Sequence, residues 1–427
     1  WLKSFWLRWT TLLQRHPSMC KAMLCTRICL ATLLVAGAAA SETEDVAGRA
    51  EASSGGTAPE PLSGVGQNVP GSVGVFVANA SDPLWGHFMQ FVADFGKSYS
   101  PGEVATRFAA FKESFLAIQA CNAQNYTHTC GLNEHADTAH DDFVRTHLGL
   151  EPSPDADEEG EVETPFPSAE EAPLAGSSSS RPAAVNWVVK GVVTPVVNQG
   201  SCGSCWAFAA TAAISSAWAI KTNSLVRLSQ QQFLDCSGGS CSGGWYSRAF
   251  RWAVAHPLCN AACYPYTGVQ KRCAGSRCTS LSCRALARGH VSGFRWVVRH
   301  SEAALLQAVA GQPVVVGIDA SRPAFRFYAR GIISCGCGTS VNHAVLVVGY
   351  TSRAWLVKNS WGATWGERGY VRIARRRGGP MGVCGILKQP AFPVVSAATM
   401  AATTASNATR VGPRRLGARS EEPTVFA

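Results

Sequence analysis

Apolar positions between residues 84 and 122 recur at the spacing of two amphipathic helices. The apolar residues of the first set are Leu84, Trp85, Phe88, Phe91, Val92 and Phe95, and those of the second are Phe108, Phe111, Phe115 and Ile118. Side chains three or four residues apart share one helix face, so each set has a face to bury. Turn-forming residues at 99–102 separate the two sets. The pattern predicts a pair of helices with a short connection.

Different patterns appear after residue 200. Cys205 begins a long alanine-rich run without proline or glycine, which predicts a buried helix with Cys205 at its start. Residues 342–350 form an apolar run typical of a buried strand, with His343 at its entrance. Residues 355–362 resemble a second strand that ends near Asn359. We expect the two strands to pair as a hairpin, which would bring His343 and Asn359 to the same side.

Polar segments without periodicity divide the chain into candidate units. Residues 41–80 are rich in Gly, Ala, Ser and Glu, which is typical of a flexible linker. Residues 151–180 carry an acidic run and then a serine run, which indicates an exposed, cleavable connector. An Ala- and Thr-rich tail is predicted at residues 396–427. Residues 81–150 and 181–395 remain as the two folded units.

Residues 1–40 are interpreted as an upstream extension (1–18) followed by a secretory signal (19–40). Lys21 and Arg27 precede a short apolar run that ends in three alanines, the pattern of a cleavable signal. A signal anchor retained in the membrane is the alternative, but the run is short for a membrane span. We therefore expect entry into the secretory pathway and no transmembrane anchor in the mature form.

The net charge of +10 over 427 residues hides an asymmetry. Residues 19–180 carry 7 basic and 22 acidic side chains, whereas residues 181–395 carry 24 basic and 4 acidic ones. This contrast indicates two parts that are partners of each other. The basic part is also a candidate for polyanion binding through Arg375, Arg376 and Arg377, with a solvated surface that has no partner as the simpler alternative. No nucleic-acid partner is expected.

Cys205, His343 and Asn359 are the candidate catalytic group. A helix N-terminus favours a thiolate over a thiol, because unpaired N–H groups and the helix dipole stabilise the negative charge. A thiolate nucleophile needs a base that accepts a proton and returns it to the leaving group, which His343 would supply. The carboxamide oxygen of Asn359 would accept a hydrogen bond from one imidazole nitrogen and orient the other towards Cys205.

The Cys-Gly-Ser-Cys-Trp sequence at residues 202–206, followed by His343 and Asn359, resembles the papain-like cysteine proteases. The chain resembles their cathepsin L-like branch, and most of all the lysosomal enzymes of kinetoplastid parasites. The resemblance implies an α+β, two-lobe fold with a helical left lobe and a β-barrel-like right lobe. It also implies that Gln199 and the Cys205 N–H form the oxyanion hole and that Trp361 covers the histidine–asparagine bond.

Residues 81–150 resemble the inhibitory propeptide of cathepsin L-like zymogens. The residues that form the characteristic helical stripe are Glu103, Arg107, Phe111, Ile118 and Asn122. A second family motif covers residues 131–137 and contains Gly131, Asn133 and Asp137. Two positions depart from the family pattern, since Ser114 replaces an expected Asn and His135 replaces the usual aromatic residue. An ordinary amphipathic helical domain is the alternative.

Most of the 17 cysteines are expected to form disulfides. The resemblance implies the pairs Cys202–Cys241, Cys236–Cys273 and Cys337–Cys384, with Cys335 as a competitor for the last pairing. The connectivity of the remaining cysteines stays open, with two further bridges and one free thiol possible; these residues are Cys259, Cys263, Cys278, Cys283 and Cys335. A zinc site is the alternative for the cluster at residues 259–283. Neither a metal nor a cofactor is expected to take part in the function.

The resemblance also implies a substrate-binding cleft. Its residues are Gly243, Gly244, Trp245, Tyr246, Gly317, Ala344, Trp361 and Gln389. The two adjacent glycines match a backbone platform that pairs with an extended peptide. A neutral base at Gln389 with aromatic walls is expected to favour a hydrophobic residue at P2, the second residue before the cleaved bond.

The complete hypothesis is a cysteine endopeptidase that is made as a zymogen and releases its propeptide in acid, with cleavage expected within residues 165–185. A catalytically silent binding protein and a peptide ligase that uses the same acyl-enzyme are the alternatives. We expect delivery to a lysosome or lysosome-like organelle, with secretion as a second route. Protein substrates, the chain's own propeptide and cystatin-type inhibitors are the expected or candidate partners.

Overall fold

The computed structural model describes residues 81–151, here termed the N-terminal segment, and residues 181–396, the C-terminal segment. The signal, the linker at 41–80, the tail and nearly all of the connector lie outside the described residues. Within the described ranges, the helices are all too short or too polar to cross a membrane.

The N-terminal segment contains the two helices that the apolar periodicity predicts. Its elements are α1 (Trp85–Asp94), α2 (Val104–Asn122), β1 (His128–Cys130) and α3 (His140–His147). The helices pack through aromatic side chains, with the rings of Phe88 and Phe111 5.4 Å apart. Both residues are almost completely buried, and each contributes about 2–3 kcal/mol through removal of apolar surface from water. The core of this segment also includes Phe327 of the C-terminal segment.

The C-terminal segment contains helices near its start and strands near its end. Its helices are α4 (Cys205–Thr222), α5 (Gln230–Cys236), α6 (Tyr246–Ala255), α7 (Glu302–Gly311) and α8 (Pro323–Arg326). Its strands are β2 (Val185–Asn186), β3 (Leu258–Cys259), β4 (Arg284–Leu286), β5 (Val291–Trp296), β6 (Val314–Ile318), β7 (Tyr328–Ile333), β8 (His343–Tyr350), β9 (Ala354–Lys358), β10 (Tyr370–Ala374) and β11 (Ala391–Val395). Short 3₁₀ helices span Gly275–Thr279, Gly379–Met381 and Val383–Gly385.

One sheet joins the two segments. Its strand order within the described residues is β1-β7-β10-β9-β8-β6-β11-β5, with β2 paired to β8 and a separate hairpin formed by β3 and β4. All pairs are antiparallel except β7 with β10. Because β1 pairs with β7, the N-terminal segment adds a strand at an edge of the C-terminal sheet. Backbone hydrogen bonds therefore hold the two segments together.

Helix α4 is the central helix of the C-terminal segment. It contacts α5 and α6 as well as β8 and β11, so nearly all of its faces are buried. A helix in that position must be apolar all round, which explains the alanine-rich run that follows Cys205. Asn223 ends the helix in the left-handed conformation, at φ 56°.

Six disulfides join described cysteines. Three are Cys202–Cys241, Cys236–Cys273 and Cys337–Cys384, the pairs that the resemblance implies, so Cys337 rather than Cys335 bonds to Cys384. The cysteines with open connectivity form Cys259–Cys278 and Cys263–Cys283. The zinc alternative for that cluster is wrong, because these thiols are consumed by bridges. The sixth bridge, Cys121–Cys130, ties the end of α2 to β1.

Candidate active site

Cys205 lies at the N-terminus of α4, as the sequence predicts. Its side chain is fully buried, and its Sγ accepts a hydrogen bond from the backbone N–H of Ala344 at 3.4 Å. Ala344 follows His343 directly on β8, so this bond places the thiol beside the start of that strand. The interface between α4 and β8 therefore brings the candidate nucleophile and the candidate base into one site.

The predicted hairpin positions His343 and Asn359. Strand β8 pairs antiparallel with β9, with Leu346 opposite Lys358, so Asn359 follows the end of β9 near the start of β8. His343 Nε2 and Asn359 Oδ1 are 2.8 Å apart. Because an amide oxygen only accepts, Nε2 donates in this bond and Nδ1 is the basic nitrogen. Nδ1 is buried and has no hydrogen-bond partner among the described residues, so it is available to the thiol.

Trp361 covers the imidazole. The two rings are 4.6 Å apart between centroids, and the tryptophan is fully buried. Phe325 and Trp365 pack around it at centroid distances of 5.6 and 5.4 Å. This aromatic cluster excludes water from the His343–Asn359 bond, which strengthens it.

Gln199 is held by a hydrogen bond that the sequence did not reveal. The hydroxyl of Ser360 donates to Gln199 Oε1 at 2.6 Å, which fixes the direction of the amide nitrogen. That nitrogen donates to the carbonyl of Cys202 at 3.0 Å and to the carbonyl of His147, from the N-terminal segment, at 2.9 Å. In the zymogen, the Gln199 amide group that would donate to an oxyanion thus donates to carbonyl oxygens instead, one of them from the propeptide.

The end of the N-terminal segment runs directly across the site. Gly149 passes so close to the loop before Cys205 that a Cβ at position 149 would overlap the Gly203 carbonyl oxygen. The Gly244 N–H donates to the Gly149 carbonyl at 3.0 Å, and the Glu151 N–H donates to the Gly244 carbonyl at 3.2 Å. The predicted glycine platform therefore binds an extended backbone, here in parallel orientation.

Leu150 lies where the resemblance places a substrate pocket. Its N–H donates to the Asn342 carbonyl at 3.0 Å, and its side chain covers Gly317, where a Cβ would lie 2.8 Å from Leu150 Cδ2. Gly243 is equally close to the chain, since a Cβ there would lie 2.8 Å from Glu151 Cγ. The propeptide thus leaves little space beside Gly243 and Gly317 in the zymogen.

The predicted pocket residues Trp245, Tyr246 and Gln389 are buried. The rings of Trp245 and Tyr246 stack at 4.6 Å and both are buried. The Tyr246 hydroxyl donates to the Gln389 carbonyl, which joins these two positions. The side-chain oxygen of Gln389 is buried without a partner among the described residues. The role of these three residues in substrate binding stays a prediction.

The electrostatics of the closed site differ from the sequence expectation. Burial raises the pKa of the Cys205 thiol to about 11, because desolvation outweighs the backbone N–H groups that surround the sulfur. Burial also lowers the pKa of His343 to about 4, despite the hydrogen bond with Asn359. Burial in the closed site thus disfavours the charged forms of both groups, the thiolate and the imidazolium.

Arg326 is a site residue that sequence reasoning missed. This arginine ends α8, is 4% exposed, and donates from Nη2 to the carbonyls of His135 at 2.8 Å and Thr138 at 2.5 Å. Its Cζ lies 4.4 Å from the centroid of the Phe143 ring. No local sequence pattern marks a single arginine as an interface residue. Ser360, which binds Gln199, could have been found from the sequence, because it directly follows the candidate catalytic residue Asn359.

Comparison with known proteins assigns the chain. A family model described as "Papain family cysteine protease" matches residues 181–394, and one described as "Cathepsin propeptide inhibitor domain (I29)" matches residues 88–143. The chain belongs to the papain family of cysteine proteases. The C-terminal segment is therefore the peptidase domain, and the N-terminal segment is the propeptide of a zymogen.

Individual relatives agree with this assignment. Ananain from Ananas comosus is 35% identical over 324 residues, which cover 74% of this chain and 89% of ananain. Papain from Carica papaya is 38% identical over 290 residues, which cover 67% of this chain and 80% of papain. Both relatives are plant enzymes, so the similarity extends across the papain family and is not specific to kinetoplastid enzymes.

Solved structures agree as well. A recombinant stem bromelain precursor matches with a TM-score of 0.64 and 33% identity, covering 74% of this chain and 100% of that one. The proform of the Amb a 11 cysteine protease, a ragweed pollen allergen, matches with a TM-score of 0.64 and 32% identity, covering 74% and 96%. The predicted papain-like fold with a preceding propeptide is thereby confirmed.

Proposed function

We propose that this protein is a cathepsin L-like endopeptidase that is activated in acid and prefers a hydrophobic residue at P2. The observation that carries the proposal is the joint geometry of Cys205, His343, Asn359 and Gln199 beneath a segment that is bound like an extended peptide. Removal of the propeptide exposes the thiol and the imidazole to water. Solvation then permits the thiolate–imidazolium pair that burial suppresses.

The proposed reaction follows the acyl-enzyme route. The Cys205 thiolate attacks the peptide carbonyl carbon, and the resulting oxyanion accepts hydrogen bonds from Gln199 Nε2 and the Cys205 N–H. His343 gives its Nδ1 proton to the leaving nitrogen as the C–N bond breaks. Water then attacks the thioester, His343 accepts a proton from that water, and the C–S bond breaks to release the acid. Asn359 keeps the imidazole oriented in each step.

Leu150 supports the expected P2 preference. It is an aliphatic residue of the propeptide that covers Gly317 beside the glycine platform, and it is 6% exposed. A pocket that accepts leucine in the zymogen offers apolar surface to a substrate side chain of the same kind. An arginine at P2 would lose hydration there without a charged partner at Gln389.

Buried histidines support activation in acid. Burial lowers the pKa of His147 to about 4 and that of His135 well below its ordinary value near 6.5. Their rings are 4.7 Å apart, so two positive charges would repel each other. A docked pKa below the free one means that docking is strongest above about pH 6.5 and weakens as the pH falls towards 4. For His147, a docked pKa of about 4 corresponds to docking weakened roughly 30-fold at pH 5, and the lowered pKa of His135 acts in the same direction.

The surroundings of His135 reinforce this effect. The cations of Arg326 and Lys97 and the rings of His147 and His343 all disfavour its protonated form. Glu134 is the nearest acidic group, with Oε1 3.7 Å from His135 Nε2, but burial raises the pKa of that carboxyl. Acid therefore charges the histidine while it tends to neutralise its nearest counter-ion.

The segment charges were expected to dock the propeptide by attraction between its carboxylates and the basic peptidase domain. The ion pairs of the described propeptide residues instead lie within the propeptide, as in Lys97–Asp137 at 3.2 Å and Lys112–Asp82 at 2.9 Å. Arg326, a basic residue at the interface, binds backbone carbonyls rather than carboxylates. The buried histidines are therefore a second source of the proposed pH dependence beside the carboxylates, whose acidic run at residues 155–163 lies outside the described residues.

A secretory route to a lysosome-like compartment completes the proposal. The six disulfides among the described residues require an oxidising environment during folding. The signal pattern at residues 19–40 provides access to such an environment. An acidic destination would match the pH at which the buried histidines release the propeptide.

Labelling with a peptidyl epoxide tests the catalytic assignment. After incubation of the zymogen at pH 4–5, we expect the reagent to modify Cys205, as shown by mass mapping, in parallel with loss of peptidase activity. The Cys205→Ala zymogen should neither mature on its own nor react. A folded, reduced protein that is labelled elsewhere, or a Cys205→Ala zymogen that matures alone, would contradict the proposal.

A further inference from the structure

We propose that Arg326 becomes a specificity determinant of the mature enzyme and selects substrates with an acidic side chain within about three residues after the scissile bond. This proposal rests on the proposed function, because it concerns the substrates of the same cleft. In the zymogen Arg326 holds the propeptide. The backbone carbonyl of Arg326 binds one side chain of the peptidase domain and one of the propeptide. The guanidinium, in contrast, makes most of its contacts with the propeptide.

The backbone of Arg326 is fixed within the peptidase domain. Its carbonyl accepts hydrogen bonds from Trp365 Nε1 at 3.1 Å and from Asn133 Nδ2 of the propeptide at 2.8 Å. The preceding residue, Phe325, lies 5.6 Å from the Trp361 ring and 6.2 Å from the His343 ring between centroids. Arg326 therefore stays beside the aromatic cluster of the active site after the propeptide leaves.

The guanidinium loses most of its surroundings when the zymogen matures. Its described hydrogen-bond acceptors are the His135 and Thr138 carbonyls, and both belong to the propeptide. It stacks on Phe143 of the propeptide at 4.4 Å and on Phe327 of the peptidase domain at 4.7 Å. Nε is buried and has no partner among the described residues. Maturation thus uncovers a cation with unsatisfied donors.

The charge of Arg326 is also left without a nearby counter-ion. The acidic groups that favour its charged form are Asp137 and Glu113, and both are removed with the propeptide. The peptidase domain contributes only 4 acidic against 24 basic side chains over residues 181–395. A carboxylate from a substrate would replace the lost carbonyls and accept from the planar guanidinium with two hydrogen bonds.

The path of the propeptide shows which side of the cleft Arg326 occupies. The chain passes from His135 and Thr138 at Arg326, through His147 at Gln199, to Leu150 at Gly244. The nucleophile therefore lies between Arg326 and the acyl-side platform. Arg326 belongs to the leaving-group side, where His343 delivers its proton.

The space that a substrate would enter is defined by Phe143. Its ring lies 4.4 Å from Arg326 Cζ and 5.3 Å from the Trp361 ring, so it separates the two side chains. Loss of Phe143 leaves a gap about one side chain wide, with a cation on one wall and an aromatic face on the other. A glutamate or aspartate fits this combination because its carboxylate reaches the cation while its methylene groups contact the ring.

Paired fluorogenic peptides test the proposal on the acid-matured enzyme. The peptides share Leu at P2 and differ only in Glu, Gln or Lys at the first, second or third position after the scissile bond. We expect kcat/KM to favour Glu over Gln by about five- to tenfold at one of these positions, with Lys disfavoured. The preference should fall as salt is added, because screening weakens a partly exposed ion pair.

Matched variants separate Arg326 from general effects of the basic surface. Arg326→Gln should lower the Glu:Gln ratio to about one, and Arg326→Lys should retain part of the ratio. Arg322→Gln, at an exposed arginine next to the same short helix, should leave the ratio unchanged. Where Arg326→Gln fails to mature, the comparison of Arg326→Lys with Arg322→Gln gives the answer.

Two results would overturn the proposal. One is a wild-type enzyme that cleaves the Glu and Gln peptides equally well at every position. The other is an Arg326→Gln enzyme that keeps the wild-type ratio. Cleavage of the neutral peptide in either case leaves the proposed function intact, whereas failure to cleave any peptide after maturation refutes the proposed function and this inference with it.

Discussion

Two buried histidines lie against Trp361, one from each part of the zymogen. His343 of the peptidase domain has its ring 4.6 Å from the tryptophan, and His135 of the propeptide has its ring 5.3 Å away. Burial lowers the pKa of both imidazoles. Their hydrogen bonding differs, because His343 donates to Asn359 while the Nε2 of His135 has no partner among the described residues.

That difference shows how one environment serves catalysis and inhibition. The bond with Asn359 belongs to the peptidase domain and persists after the propeptide leaves, so His343 stays oriented for proton transfer. His135 is surrounded by aromatic rings and cations, and its nearest acidic group is Glu134, whose pKa burial raises. Its burial is therefore tolerated while it is neutral and opposed when it is charged. The same tryptophan therefore shields a permanent hydrogen bond and a group that favours release in acid.

The largest expected effect is a difference in kcat between variants of His343 and variants of His135. His343→Ala should lower kcat of the mature enzyme by about 10⁴-fold, because the general acid and base is lost. His135→Phe should leave kcat of the mature enzyme unchanged, because His135 is removed with the propeptide. Steady-state assays on fully matured protein check this, and a loss of kcat in His135→Phe would break the comparison.

An intermediate effect concerns the pH of activation. His135→Phe removes a group whose docked pKa lies well below its ordinary value, so it removes a source of weakened docking in acid. We expect maturation at pH 5 to be slower than that of the wild-type zymogen, with the difference disappearing at neutral pH.

The exposed His140 offers a matched control for this measurement. His140→Gln should leave the pH profile of maturation unchanged, because the side chain of His140 is exposed and is not buried against the peptidase domain. Equal profiles for His135→Phe and the wild-type zymogen would show that other groups control release.

The smallest expected effect compares the propeptide with a substrate in the same pocket. If Leu150 marks the P2 pocket, the mature enzyme should cleave peptides with Leu at P2 about tenfold better than those with Arg. A P2 library with constant residues elsewhere measures the ratio as kcat/KM. Equal or better turnover of the Arg peptides would show that Leu150 and a substrate bind differently.

Much of the architecture follows from local patterns. The apolar spacing of α1 and α2, the alanine-rich run of α4 and the apolar runs of β8 and β9 each reflect one element and its burial, which short-range periodicity reports. The same patterns placed Cys205 at a helix N-terminus and brought His343 and Asn359 together, as the structure does. Each of these inferences needed only neighbouring residues or one hairpin.

The chain alone therefore determined the main elements, the candidate nucleophile, base and orienting amide, and the asymmetry of charge between its halves. Only the tertiary structure decided the protonation of the closed site and the roles of Arg326, His135 and Leu150. The reason is physical: desolvation depends on everything that surrounds a group. Residues almost 200 positions apart, such as Arg326 and His135, meet only when the propeptide folds onto the peptidase domain.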